Sequence, residues 1–362
     1  MKKTGTKVAV GLSGGVDSSA AAALLKMEGY DVVGIFMEIF DGSIAHSPID
    51  KHGCYGPDEK EDVRKAASVC RRLNIPFYTV DLREEYRVYV LEDFRQNYLA
   101  GKTPNPCVVC NQRIKFGFLL KKTREAGIEF DYFATGHYAR ILKRNGRYLL
   151  KKAADTTKDQ TYFLYGLSQQ QLSQTLFPVG SLSKKKVRQI AHSCKLQTAN
   201  EPESQDFIAG RNHRSLFSKK DIKKGHIVDE SGNILGTHKG IIHYTVGQRR
   251  GLGIASTQPL YVTKIDAPNN RIVVGEKKKL LSNGLIARDL NFIAFERLIR
   301  PIIVKAKIRL NTKEAAATVF PHGNKKARVL FHEPQEAVCP GQSVVFYSGD
   351  LVIGGGIIER AL

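Results

Sequence analysis

No apolar run in this chain approaches the roughly 20 residues that a bilayer-spanning helix requires, so membrane insertion is not expected. The N-terminal stretch Met1-Lys2-Lys3-Thr4-Gly5-Thr6-Lys7 has neither the apolar core nor the small-residue cleavage site of a signal peptide, and the cytoplasm is the expected compartment. Cysteines are few, six at scattered positions. That excludes the dense disulfide framework of a small secreted domain and turns attention to catalytic, redox or metal-binding thiols. Internal repeats and low-complexity stretches are absent. Acidic residues are scarce too: 35 Asp and Glu against 56 Lys and Arg leave a formal charge of +21. A polyanion, nucleic acid first, is the partner such a balance points to. The basic groups Lys184-Lys185-Lys186, Lys219-Lys220, Lys223-Lys224, Arg249-Arg250, Lys277-Lys278-Lys279 and Lys325-Lys326 mostly follow the first half of the chain and suggest a long basic surface.

A hydrophobic content of 42% and a length of 362 residues describe a soluble protein with more than one core. Lys7 to Gly11 reads as a strand, a Gly-rich turn follows, and Asp17 to Glu28 reads as a helix with Ala and Leu on its buried face. Strands at Asp31–Phe40, Pro76–Asp81 and Tyr132–Gly136 alternate with helices at Glu61–Leu73 and Phe116–Ala126, the pattern of a parallel α/β sheet covered on both faces. This domain is expected over 1–200. A small central β-rich domain is expected over 201–280, with strands at Ile227–Val228, Leu260–Ile265 and Arg271–Val274. Alternating segments Ile302–Leu310, Ala327–Phe331, Ser343–Tyr347 and Leu351–Ile358 predict a β-barrel-like or sandwich domain over 281–362.

The most informative segment is Gly11-Leu12-Ser13-Gly14-Gly15-Val16-Asp17-Ser18, between the first strand and its helix. Glycines let backbone N–H groups approach a pyrophosphate, the helix offers its positive end, and the serine hydroxyls add donors. The Lys-Ser/Thr that grips a γ-phosphate in kinases and GTPases is missing, so a different bond is cut. The alternative is a Ser/Gly turn that only caps a helix.

Ser-Gly-Gly-Val-Asp-Ser resembles the loop of pyrophosphatase-type adenylating enzymes, which transfer AMP to a carbonyl oxygen. Further motifs follow in one order: Thr103-Pro104-Asn105-Pro106-Cys107-Val108-Val109-Cys110-Asn111, Ala134-Thr135-Gly136-His137-Tyr138-Ala139-Arg140, Lys158-Asp159-Gln160-Thr161-Tyr162-Phe163-Leu164, Ser204-Gln205-Asp206, Thr245-Val246-Gly247-Gln248-Arg249-Arg250-Gly251-Leu252-Gly253 and Pro340-Gly341-Gln342. Over nearly its whole length the chain is thereby similar to bacterial tRNA-specific 2-thiouridylases. The resemblance implies a nucleotide α-hydrolase-like fold, ATP and Mg2+, and a tRNA whose wobble uridine exchanges its C2 oxygen for sulfur. The sulfur would come from a persulfide carrier protein or from sulfide. It implies that Gly11 to Ser18, Met37 and Gly136 hold ATP and that Cys110 is the nucleophile. Asn105, Pro106 and Cys107 would line the pocket for the extruded base, and His137, Lys158, Asp159, Gln160, Arg309, Leu310 and Gln342 would contact tRNA. Arg113 and Lys115 are placed to lower the pKa of Cys110.

The chain departs from the family pattern in three places. Cys107 stands where many members have Asp, and Leu310 where an aromatic residue is common. The family's second cysteine, two residues after Ser-Gln-Asp/Glu, is absent: Ser204-Gln205-Asp206 continues Phe207-Ile208-Ala209-Gly210. Cys107 and Cys110, joined by Cys54 in Gly53-Cys54-Tyr55-Gly56-Pro57, are therefore read as exchanging thiols or as three ligands of an iron–sulfur cluster with one open iron. A structural zinc site is disfavoured, because Cys107-x-x-Cys110 supplies two of four ligands and no second pair exists. The competing functions are a small-molecule ATP ligase with the same loop and an RNA-binding protein without catalysis.

Overall fold

The computed structural model describes residues 5–43, 53–201, 206–208 and 213–362, so Ser204, Gln205, Ala209 and Gly210 of the departing motif lie outside the described residues. The chain divides into two compact units, one of 1–90, 107–212 and 350–352, the other of 91–106, 213–349 and 353–362.

The first unit opens with β1 (Lys7–Leu12), α1 (Val16–Met27), β2 (Asp31–Glu38), β3 (Gly53–Tyr55), α2 (Glu59–Leu73) and β4 (Phe77–Asp81). The helical stretch α3 (Arg83–Tyr86) follows and leads to α4 (Asp93–Leu99), which belongs to the second unit. Next come α5 (Pro106–Val109), a π-type segment over Cys110–Phe118 and α6 (Leu119–Glu125). This helical run begins at Pro106, earlier than the expected Phe116. Proline suits a first helical position, because its missing N–H has no intrahelical partner to lose. β5 (Tyr132–Thr135), β6 (Ala139–Arg144), β7 (Arg147–Lys152), α7 (Gln169–Ser173), β8 (Thr175–Leu176), α8 (Lys184–Ser193) and β9 (Asp206–Ile208) complete the unit.

Five of these strands make a parallel sheet in the order β4-β2-β1-β5-β8. The chain leaves β1 toward β2 on one side and returns to β5 on the other, so the carboxyl ends of β1 and β5 open a crevice of the kind that binds ligands in such sheets. Val8, Val10, Leu12, Val32 and Phe36 from the sheet pack against Ala22 and Leu25 of α1 and Ala66 and Cys70 of α2. Ala20 to Ala23 are fully buried, which is why that turn carries no larger side chain. A separate parallel pair, β3 with β9, sets Gly53 opposite Asp206 and Tyr55 opposite Ile208.

In the second unit β10 (Gly225–Val228), β11 (Ile234–His238), β12 (Tyr261–Asp266) and β13 (Arg271–Gly275) form a four-stranded sheet in the order β11-β10-β13-β12. β14 (Leu281–Phe292), β15 (Ile302–Lys307), β16 (Ala315–Pro321), β17 (Ala327–Glu336), β18 (Ser343–Ser348) and β19 (Leu351–Ala361) run in the order β14-β17-β16-β15-β18-β19. A β14–β19 pairing closes them into a barrel. Leu285, Val304, Ala317, Val319, Val329, Val344 and Phe346 fill its interior. Closure removes the sheet edges, the usual answer of a small all-β domain to unpaired strands.

Candidate active site

A cavity of about 270 Å³ lies at the carboxyl edge of the parallel sheet, lined by the loop after β1, Met37 of β2, Cys54 of β3, Glu59 and Asp62 of α2, Lys115, and Thr135 to Tyr138. The loop is locked by its own serines. Ser18 Oγ accepts from Ser13 N at 3.2 Å and donates to Gly15 O at 3.2 Å, while Ser19 Oγ donates to Gly15 O at 2.8 Å. Gly14 has φ of +74° and backs onto Asp62, a conformation and a closeness that only glycine tolerates. No side chain caps the first turn of α1. Ser13, Gly15, Val16, Asp17 and Ser18 line the cavity at the end of α1 where the helix dipole is positive. Gly136 closes the opposite wall, where a Cβ would stand 2.4 Å from Ser18 N.

Asp17, in the first turn, accepts hydrogen bonds at 2.8 Å from the Tyr138 hydroxyl and, through both oxygens, at 2.8 Å from Lys184 Nζ at the start of α8. On α2, Glu59 receives the Ile39 and Phe40 N–H groups at 2.7 and 2.9 Å and fixes the chain leaving β2. His137 is held by Thr135 Oγ1 at 2.8 Å from Nδ1. Burial, reinforced by the nearby charge of Lys115, pulls its pKa down to about 3, so the imidazole is neutral.

The thiols gather around Lys115. Cys110 is buried at the start of the π-type segment, Cys107 half-buried one turn earlier, and Cys54 exposed on β3. Burial pushes Cys110 up to about 11 despite the opposing charge of Lys115, and the charge of Cys54 is felt there as well. This reverses the expected lowering. Desolvation outweighs the lysine, and Arg113 is turned away over the Tyr89 ring at 5.3 Å. Lys115 is itself raised: burial works against its charge, but Cys110, Cys54 and Cys107 together outweigh it. At neutral pH Cys110 rests as a thiol beside the Lys115 ammonium. Among the described residues no three His, Cys, Asp or Glu are placed to hold a metal ion. Cys54, Cys107 and Cys110, the residues expected as cluster ligands, do not form such a group.

Three family models match in succession: a tRNA methyl transferase HUP domain over 6–209, a tRNA methyl transferase PRC-barrel domain over 216–276, and an aminomethyltransferase beta-barrel domain over 282–358. The tRNA-specific 2-thiouridylase MnmA of Acetivibrio thermocellus is 47% identical over 98% of this chain and 99% of its own. The protein of that name from Clostridium beijerinckii is 47% identical over 100% of both. The chain belongs to the tRNA-specific 2-thiouridylase family. Among solved structures, a 4-thiouridine synthetase bound to RNA and ATP aligns over 57% of this chain and 46% of that one, at 16% identity and a TM-score of 0.37, too loosely to bear on the chemistry.

In this thiouridylase-family chain several residues expected at a tRNA surface turn inward. His137, Lys158 and Gln160 line the cavity, and Gln160 Oε1 also receives Tyr138 N at 2.8 Å. Asp159 receives Ala153 N at 3.0 Å and the Thr161 hydroxyl at 2.7 Å. In the second unit Arg309 Nη2 donates to the carbonyls of Val246 and Ala337, and Gln342 Nε2 donates to Thr103 O at 2.9 Å, fixing the segment that carries Asn105 and Pro106. Leu310 is exposed, at 39%. The basic runs are not uniformly free. Lys277, Lys278, Lys279 and Lys326 pair with Glu336, Glu276, Glu230 and Glu359, whereas Lys219, Lys220, Lys223, Lys224, Arg249 and Arg250 are exposed. Lys184 was hidden from sequence reading by its position in a basic triplet. Only Ser183, as the N-cap that starts α8, hints that the first lysine faces differently from the next two. Among the described residues no helix is long and apolar enough to cross a membrane.

Proposed function

We propose that this chain is a tRNA-uridine 2-sulfurtransferase that uses ATP to replace the C2 oxygen of the wobble uridine with sulfur. The observation that carries the reading is the uncapped N-terminus of α1 facing a cavity that Lys115 and Cys54 also line. A uracil carbonyl is a poor electrophile with an oxide leaving group. Transfer of AMP to O2 makes the oxygen a good leaving group, so one difficult displacement becomes two easier ones. Gly11 to Ser18 receive the departing pyrophosphate, while Met37 and Gly136 border the adenosine half. Mg2+ arrives on the phosphates, since it keeps most of its waters and needs only one or two protein carboxylates. Asp17, Glu59 and Asp62 are the carboxylates on the cavity wall.

Sulfur reaches C2 from Cys110 as a persulfide, and attack expels AMP. Cys107, one turn away, flanks it. Asn105, Pro106 and Cys107 hold the extruded base in a site closed to water. Lys158, Asp159 and Gln160 in the first unit, and Arg309, Leu310 and Gln342 in the second, each contact tRNA or brace segments that do. The exposed lysines and arginines of 219–250 supply salt-dependent affinity for the phosphate backbone. Catalysis belongs to 1–200, tRNA binding to 201–280, and the β-barrel to 281–362. The test is an assay with unmodified tRNA, ATP and either persulfide or free sulfide. AMP and thiolated tRNA in equal amounts are expected, with thiolation lost in Cys110→Ala and tRNA affinity falling as salt rises. AMP without RNA labelling would instead mark a small-molecule ligase, and neither product an RNA-binding protein without catalysis.

A further inference from the structure

The thiolation reading leaves one step without a residue. Once the persulfide on Cys110 has attacked C2, the base is joined to the protein through a disulfide, and a second thiol must release it. The second family cysteine would fall at Ile208, which is only 2% exposed. Ile208 is paired across β9 and β3 with Tyr55, the residue after Cys54.

Tyr55 is immobilised on every side. Its hydroxyl donates to Asp41 Oδ1 at 2.5 Å and meets Ser43 Oγ at 2.9 Å, while its ring stacks on Tyr86 at 5.4 Å and meets Phe40 edge-on at 5.2 Å. Strand alternation then turns its neighbour Cys54 to the other face, where it is exposed and lines the cavity. Neither Cys107 nor Cys110 lines that cavity, but the charge of Cys54 is felt at Cys110. The same Tyr86 lies within electrostatic reach of Cys54, Cys107 and Cys110.

Building on the thiolation reading, we propose that Cys54, on the cavity-lining face of β3, is the resolving thiol and takes the role left without a thiol at position 208. The terminal persulfide sulfur on Cys110 bonds to C2 as the C2–O bond breaks and AMP leaves. Cys54 gives its proton to solvent and its thiolate attacks the Cys110 sulfur. The sulfur–sulfur bond breaks, and its electron pair leaves on the C2 sulfur, which becomes the thiocarbonyl as N3 takes up a proton. Cys54 and Cys110 are left oxidised as a disulfide and the transferred sulfur is reduced by two electrons. A thiol reductant of the glutathione or dithiol class then restores both cysteines and is itself oxidised to a disulfide. Lys115 stays an ammonium throughout and favours each sulfur anion in turn.

The test is a single turnover of full-length protein carrying persulfide, with ATP and unmodified tRNA, in the absence of reductant. Wild type is expected to release thiolated tRNA and to yield a peptide pair crosslinked Cys54–Cys110 by mass spectrometry. Cys54→Ser is expected to release AMP yet hold at least tenfold more tRNA in a covalent adduct, freed by added dithiothreitol, with the same Tm as wild type. Cys194→Ser, which alters a thiol outside the cavity, should release its product as wild type does. A Cys107–Cys110 crosslink in wild type, or adduct-free turnover by Cys54→Ser at the wild-type rate, overturns the assignment while leaving the thiolation reading intact. Wild type that makes neither AMP nor thiolated tRNA defeats both.

Discussion

Replacing Lys184 by methionine removes the cation that holds Asp17 and leaves a carboxylate stranded in the first turn of α1. The two side chains are 13% and 27% exposed, and the ammonium reaches both oxygens at 2.8 Å. Breaking a fully buried pair costs about 3–5 kcal/mol. Here water reaches part of the carboxylate and the Tyr138 hydroxyl remains as a donor, so the loss falls to about 1.5–3 kcal/mol, the range for a hydrogen bond to a charged group. In a unit of this size that lowers Tm by about 4–10 °C. The unbalanced charge also borders the phosphate site, and about 1 kcal/mol of repulsion there corresponds to roughly fivefold weaker ATP binding. The assays are thermal unfolding and nucleotide titration of K184M, K184R and the double variant D17N/K184M. Arginine should restore most of both quantities, and the double variant should be more stable than K184M, because the stranded charge is gone. Tm and ATP affinity unchanged in K184M would refute the idea that this ion pair sets the nucleotide loop.

Gly136→Ala forces a methyl group to within 2.4 Å of Ser18 N, and overpacking of this kind costs about 1–3 kcal/mol; ATP titration should show at least tenfold weaker binding. His137 has its pKa lowered to about 3 by burial. The unfolded chain, titrating near 6.5, takes up the proton first as pH falls, so the contribution of the neutral imidazole is intact above about pH 6.5 and is lost progressively toward pH 3 at up to about 1.4 kcal/mol per unit. Urea unfolding at pH 7 and pH 5 should therefore show a smaller loss of stability in His137→Asn than in wild type.

The loop from Gly11 to Ser18 was legible because its signal is local: a β-branched strand, glycines, serines and an alanine helix in immediate succession. Strand positions were legible for the same reason. The two ends of the α1 first turn show the limit. Asp17 stands inside the motif, but its partner Lys184 comes from the far end of the unit and is indistinguishable in sequence from Lys185 and Lys186, which are exposed. Lys158 and Gln160 read as surface residues because they are polar and follow a turn, yet that turn lies over the cavity. The start of the helix at Pro106 was missed because proline also reads as a break. With it was missed the burial of Cys110, which reverses the sign of its pKa shift.

That burial fits the proposed persulfide chemistry better than an ionised cysteine would. A thiol held near pKa 11 is almost wholly protonated at neutral pH and resists adventitious oxidants and alkylators, since the thiolate is the reactive form. A persulfide is a stronger acid than its parent thiol, so the same pocket that keeps Cys110 neutral lets its persulfide ionise beside the Lys115 ammonium. On the proposed mechanism the enzyme is silent until Cys110 is loaded. Loading and transfer should accordingly differ in their pH dependence. Alkylation of unloaded Cys110 by iodoacetamide, followed by peptide mapping, should rise about tenfold per pH unit between pH 7 and 10. Transfer from pre-loaded protein should rise far less over the same interval. Lys115→Met removes the one cation opposing burial, pushing Cys110 higher and slowing both processes, transfer more because there the anion is the resting form. A flat alkylation profile from pH 7 to 10, or a Lys115→Met enzyme that transfers sulfur at the wild-type rate, would show that the thiol is not governed by this balance of burial against a single charge.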